Sequence, residues 1–211
     1  FLFAAFALFY GFMRRTPTLR IWYVIAFSLY FYYKSSGIYL LLLVGVSVSD
    51  FLLGRAIARA ASQRLRRGLV ALSVTADLAV LGYFKYTDFF IEIAATSSAQ
   101  GLEFQNIFLP VGISFFLFQS LSYTIDIYRG TLRPLDRWGD YLFYLSFFPQ
   151  LVAGPIVRAS DFLGQIRQNP IRVTREMFGT GIYLIAIGLF KKAVLSDYIS
   201  LNFVDRIFDD P

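Results

Sequence analysis

Apolar stretches approaching the length of a bilayer span recur along almost all of this 211-residue chain, and no other feature narrows its fold as much. They fall at roughly residues 1–13, 21–33, 37–53, 68–84, 107–128, 138–153 and 177–195. Backbone amides and carbonyls in hydrocarbon must be bonded within the protein, so helices and closed barrels are the only spanning forms. A helix needs about 20 residues to cross and a tilted strand about 10, and these runs fit helices. Several fall short of that length, and aromatic ends such as Tyr30–Tyr33 are expected to carry them into the interface. Composition agrees: 57% of residues are hydrophobic and 16% charged, against about 45–50% and 25% in soluble domains. The expected fold is all-α, a polytopic helical membrane protein forming a single transmembrane domain over 1–211.

The chain contains no cysteine and no histidine. That removes disulfides, thiol chemistry, the commonest metal ligand and the commonest general base. The net charge of +6 does not point to nucleic acid, because the basic residues lie between apolar runs. Arg14, Arg15 and Arg20 follow the first run; Arg55, Arg59, Arg64, Arg66 and Arg67 follow the third; Arg129, Arg133 and Arg137 follow the fifth. Alternation places all eleven on one side, against Lys34 and Lys85 on the other. The positive-inside rule makes the arginine side cytoplasmic and the N-terminus external. Residues 55–67 are read as a topogenic loop, with a basic amphipathic helix on anionic lipid as the alternative. The chain opens at Phe1 inside an apolar run, which is read as a clipped first span, so a fragment is expected.

Polar groups inside the runs narrow the chemistry. A charge in the bilayer costs at least a few kcal/mol and faces protein or water. Asp77 lies mid-run and is expected to pair with an Arg or Lys of a neighbouring helix, or to serve a substrate or proton directly. Asp50 is placed at the interface. Gln119, Ser122 and Asp126 share one helix face through spacings of three and four. They act either as interhelical glue or as cavity lining, and Asp126 is expected to pair with Arg129 one turn on. Most unusual is "SFFPQLVAGPIVR", Ser146 to Arg158. Pro149 and the Gly154-Pro155 pair break any helix there, and broken backbone at membrane depth must be buried in protein or line water. Arg158 then supplies a permanent cation with five donors, suited to phosphate or carboxylate.

Three stretches together resemble the membrane-bound O-acyltransferase (MBOAT) family, in its alginate O-acetylase (AlgI) and D-alanyl transfer (DltB) branch. They are "LGYFKYTDFF" (81–90), "LPVGISFFLFQSLSYTIDIYRG" (109–130) and "FFPQLVAGPIVRASDFLGQI" (147–166), with "GLFKKAVLSDYI" (188–199) fitting the segment that follows. The resemblance implies the N-terminal part of a helical ring around a reaction chamber. It implies transfer of an acyl group, acetyl by expectation, onto hydroxyls of an exported polysaccharide or cell-envelope polymer. The implied donor is acetyl-CoA or another acyl thioester, with no cofactor held permanently. The implied setting is the bacterial inner membrane, with lipid around the helices and a periplasmic or extracellular accessory acyltransferase as partner. Gln150, Gly154, Pro155 and Arg158, then Gln119 and Asp126, become candidates for chamber or donor-side lining. The family's catalytic histidine, in a W-x-x-W-H-like segment, is implied to lie beyond residue 211. The chain is therefore expected to be inactive alone.

A transporter or flippase and a non-catalytic membrane scaffold remain as alternatives. The topology carries a test of its own: reporter fusions at Gln63 and Gln100 should report opposite sides of the membrane. Both on one side would break the parse.

Overall fold

The structure, a computed structural model, describes residues 6, 9–10, 16–97, 107–151, 154, 156–166, 174–205 and 207. Among the described residues all regular secondary structure is helical. They fall into two compact units, Phe1–Asn169 and Pro170–Pro211.

In the first unit, α1 (Pro17–Ser36) starts on a proline, tolerated because a first-turn amide has no helical partner. It ends where Gly37 adopts φ 57°, and its N–H returns to the Tyr33 carbonyl. A single tight turn, Gly37–Tyr39, leads into α2 (Leu40–Arg59). After a three-residue break comes α3 (Gln63–Ser97), followed by α4 (Ile113–Arg129) and α5 (Trp138–Ser146). The short α6 (Phe148–Leu151) and α7 (Ala159–Ile166) complete the unit.

Cross-helix bonds fix the direction of each element. The Val111 amide donates to Ser36 Oγ at 3.0 Å, joining the end of α1 to the start of α4. At the opposite end Arg66 donates to the Tyr128 carbonyl at 2.8 Å, joining the start of α3 to the end of α4. Ser73 of α3 bonds Asp50 of α2, and Gly139 at the start of α5 lies against Trp22 near the start of α1. Helices α1 to α5 therefore alternate in direction, and the starts of α1, α3 and α5 share one end with the finishes of α2 and α4. The loop arginines among the described residues gather at that end, as the spacing of basic residues predicts. Arg14 and Arg15 lie outside the described residues.

Two stretches of this unit satisfy the length and hydropathy of membrane spans, Thr18–Arg59 with mean hydropathy 2.0 and Gln63–Ile91 with 1.4. The first is divided at Gly37 into two helices of 20 residues each, about 30 Å apiece at 1.5 Å per residue. That is one hydrocarbon thickness for each. In the second unit Thr174 caps α8 (Arg175–Phe190), accepting from the Met177 amide at 3.1 Å. Two π-helical turns, Lys191–Ser196 and Ser200–Val204, flank α9 (Asp197–Ile199). Arg175–Val204 is a third candidate span, with mean hydropathy 1.5. The chain is an all-α membrane protein.

Two expectations change, and one alternative is set aside. The run at 107–128 becomes helical only at Ile113, because Pro110 and Gly112, at φ 74°, precede it in a non-helical turn. The run at 138–153 stops at Ser146. Residues 55–67 are not one helix: Ala60 is extended at ψ 125°, and Arg66 turns inward to Tyr128 instead of outward to lipid.

Gly112 is the tightest point described. A Cβ there would lie 1.9 Å from the Leu151 carbonyl oxygen, so α4 and α6 meet backbone to backbone. Gly130 has nearly the same φ, 79°, with no atom within 4 Å of a Cβ. Gly130→Ala should cost only the left-handed penalty of about 1–2 kcal/mol. Gly112→Ala should exceed it by at least about 1–3 kcal/mol from the forced backbone shift. Unfolding midpoints of the two full-length variants, compared with wild type, check the difference.

Candidate functional site

The broken segment is built by proline chemistry. A helix through Pro149 would drive its ring into the Leu145 carbonyl, and the chain leaves helical geometry at Phe147, with ψ 104°. Pro149 then sits in the first turn of α6, where its missing amide does no harm. The groups freed by this break are caught one by one. The Phe148 amide donates to Ser28 Oγ of α1 at 3.3 Å. The Gln150 and Leu151 amides return to the Phe147 carbonyl at 3.0 and 3.2 Å, and Gly154 N–H to the Gln150 carbonyl at 3.1 Å. Tyr144 Oη donates to the Val157 carbonyl at 2.8 Å. The Arg158 carbonyl accepts from Asp161 and Phe162, starting α7. Phe148 itself is clamped by Phe27 and Phe31, with ring centroids 5.1 and 5.7 Å away.

The polar face of α4 packs directly on this segment. Gln119, only 2% exposed, donates through Nε2 to Gln150 Oε1 at 3.1 Å. Ser122 Oγ lies 3.3 Å from Tyr144 Oη. Of the two roles open to this face, the described contacts show interhelical bonding. Asp126 is buried, but among the described residues it forms no ion pair, so the expected bond to Arg129 is absent. Asp126 lies on the inward face with Gln119, whereas Arg129 is exposed. The Asp126 carbonyl instead accepts from the Thr131 and Leu132 amides and from Thr131 Oγ1.

The structure thus joins Gln119 to Gln150 and packs Gly154 against them, where a Cβ would lie 2.4 Å from the Gln150 Cα. It does not bring Arg158 to them. That side chain is exposed and makes no hydrogen bond or ion pair among the described residues. Pro155 lies outside the described residues.

A second polar cluster sits deeper, between α2, α3, α4 and α5. Asp50 is 1% exposed, not interfacial as expected, and Asp77 is 3% exposed. Asp77 neighbours Asp50, and among the described residues no Arg or Lys pairs with it. Ser73 donates to Asp50 Oδ1 at 2.9 Å, and Ser120 donates to Asp50 Oδ2. Tyr141 Oη lies 2.7 Å from Ser120 Oγ, and Thr124 Oγ1 lies 3.2 Å from Ser73 Oγ. Sequence reasoning passed over Ser73, Ser120, Tyr141 and Tyr144. The available signal was Tyr141 and Tyr144 at a spacing of three inside an apolar run, each with a hydroxyl that needs a partner when buried.

No family model matches the chain, and no solved structure matches it. It is 33% identical over 215 residues to the peptidoglycan O-acetyltransferase of Helicobacter pylori, across 90% of this chain and 40% of that protein. The probable alginate O-acetylase AlgI of Pseudomonas aeruginosa is 35% identical over 167 residues, 77% of this chain and 32% of the relative. That of Azotobacter vinelandii is 35% identical over 165 residues, 75% and 32% respectively. The chain is homologous to bacterial O-acetyltransferases. The resemblance seen in its motifs, to the AlgI/DltB-like branch of the MBOAT family, holds over most of its length. It spans 40% or less of the length of these relatives.

The Gln119–Gln150 bond ties α4 to the broken segment and should behave as interhelical glue of about 0.6–1.7 kcal/mol. A double-mutant cycle with Gln119→Ala and Gln150→Ala, read by reversible unfolding of the full-length protein, should return a coupling in that range. Additivity within about 0.3 kcal/mol would show the bond to be energetically silent.

Proposed function

We propose that this chain is part of an enzyme that transfers an acyl group, acetyl in the first instance, onto hydroxyls of an exported polysaccharide or cell-envelope polymer. The observation that carries the reading is the homology to a named O-acetyltransferase across 90% of the chain, and to others across 75–77%. The geometry supports it: a polar, broken segment is held against a polar helix face inside a largely apolar bundle.

The residues divide the work as follows. Ser28, Tyr144 and the Gln119–Gln150 pair hold segment 147–158 in a fixed, non-helical path. The Gln150 side chain, half-buried at this junction, is the candidate donor toward charge that develops on an acyl carbonyl. A hydroxyl acceptor needs a base to take its proton, usually imidazole, and these 211 residues contain no histidine. The base is therefore assigned to a part of the enzyme outside this chain, which by itself would not catalyse transfer. We place the arginine-rich end in the cytoplasm of a bacterial inner-membrane protein. Acetyl-CoA or another acyl thioester approaches there, and Arg158 binds its phosphates. An extracytoplasmic acyltransferase partner completes delivery on the other face. Both units form one transmembrane domain in this reading.

Membranes carrying the full-length protein, given labelled acetyl-CoA and either alginate or peptidoglycan, should label one polymer in a protein-dependent manner. Arg158→Ala should raise the donor KM about tenfold, the loss of one charge-assisted contact of about 1.4 kcal/mol, with kcat little changed. Unchanged donor affinity would remove Arg158 from the donor site, and failure to label any hydroxylated envelope polymer would overturn the acyltransferase reading.

A further inference from the structure

The Asp50–Asp77 cluster has no role in the function proposed above, and its composition is that of a cation site. Two carboxyl groups neighbour each other inside the helix bundle, and among the described residues neither forms an ion pair. The nearby Arg55 is turned aside over the Phe51 ring, 5.5 Å from its centroid. Uncompensated charge at that depth costs at least a few kcal/mol, so the pair must be neutralised, either by a shared proton or by a bound cation.

The hydrogen-bond inventory shows where the deficit lies. Asp50 accepts from Ser73 on one oxygen and from Ser120 on the other. Asp77 Oδ2 is buried and has no hydrogen-bond partner among the described residues. Asp77 also lines a groove of about 290 Å³ between α2 and α3, walled by Leu41, Gly45, Val46 and Val80 with Ser49 among them.

We propose that Asp50 and Asp77, with the hydroxyls of Ser73, Ser120 and Thr124, bind a hard metal cation, Na⁺ or Ca²⁺, within the helix bundle. The donor set decides the class. All ligands are oxygens, and no group of three or more His, Cys, Asp or Glu side chains assembles among the described residues. Transition metals prefer nitrogen and sulfur donors, whereas Na⁺ and Ca²⁺ accept carboxylate and hydroxyl oxygens in flexible geometry. Mg²⁺ fits less well, because it keeps several of its waters and this cluster is closely packed. Ser120 neighbours Gln119 on α4, so a bound ion would also fix the helix that carries the Gln119–Gln150 junction. The site itself does not depend on the acyltransferase reading.

The test uses the full-length protein, stripped with chelator and exchanged into choline buffer. Equilibrium dialysis against ²²Na⁺ and ⁴⁵Ca²⁺ should show saturable binding of one of the two ions. The same ion should raise the unfolding midpoint. Asp77→Asn and Ser73→Ala should each weaken that binding by at least about tenfold. Thr87→Ala should not, since its hydroxyl bonds only within its own helix. Absence of saturable binding by the wild type overturns the proposal, as does equal binding by Asp77→Asn. If acidification alone raises the midpoint and neither ion does, the pair is a protonated carboxyl pair and the metal site does not exist.

Discussion

The fold depends on one constraint: backbone polar groups released inside an apolar bundle must find partners in the protein. Pro149 releases them, and the surrounding helices answer with single, well-placed hydroxyls. Ser28 on α1 takes the Phe148 amide, and Tyr144 on α5 supplies the Val157 carbonyl. These are long-range contacts, separated by 120 and 13 residues in sequence, so the break is possible only where α1, α4 and α5 already pack together. Helix packing and helix breaking are two aspects of one arrangement. The close approach of Gly112 to Leu151 follows from it, because the segment leaving α5 is drawn back against the start of α4.

The same economy of hydroxyls governs the deeper cluster. Asp50, Asp77, Ser73, Ser120, Thr124 and Tyr141 come from four helices that are otherwise apolar at this depth. Each polar atom added to such a core must be matched, since the low dielectric raises the cost of an unmatched one as much as it strengthens a matched one. Ser120 sits at the centre, bonded to both Asp50 and Tyr141, and its neighbour Gln119 faces the broken segment. One helix, α4, thereby carries both polar regions on adjacent residues.

Much of this was legible in the sequence, for reasons that differ by residue. The apolar runs and the grouping of arginines between them report the medium and the alternation of the chain, which depend on composition alone. The Ser146–Arg158 break was legible because proline chemistry is local. The ends of α4 and α5 were not, because hydropathy continues through Pro110, Gly112 and Phe147 where helical geometry does not. Asp77 was recognised as needing a partner, but an i, i+3 or i, i+4 rule cannot find Asp50 on another helix. Asp126 failed in the opposite sense: Arg129 satisfies the spacing, yet the helix end sends the two side chains to different surroundings. For Arg158, a family signature marked the residue without showing where its side chain would lie.

The 35 residues of α3 have a mechanical consequence. At 1.5 Å per residue the helix is about 52 Å long, against a hydrocarbon core of about 30 Å. Its first turn is tethered to α4 through Arg66, and Ser73 and Asp77 anchor it a few turns further on. The excess therefore emerges at the end away from the arginines, where Tyr83, Tyr86, Phe89 and Phe90 are exposed. Aromatic rings of this kind settle at the headgroup level. Near them Asp88 accepts from the Ile107 amide at 3.2 Å, so the far end of α3 is also tied to the chain that leads into α4, and the length that exceeds one hydrocarbon thickness is braced at both ends.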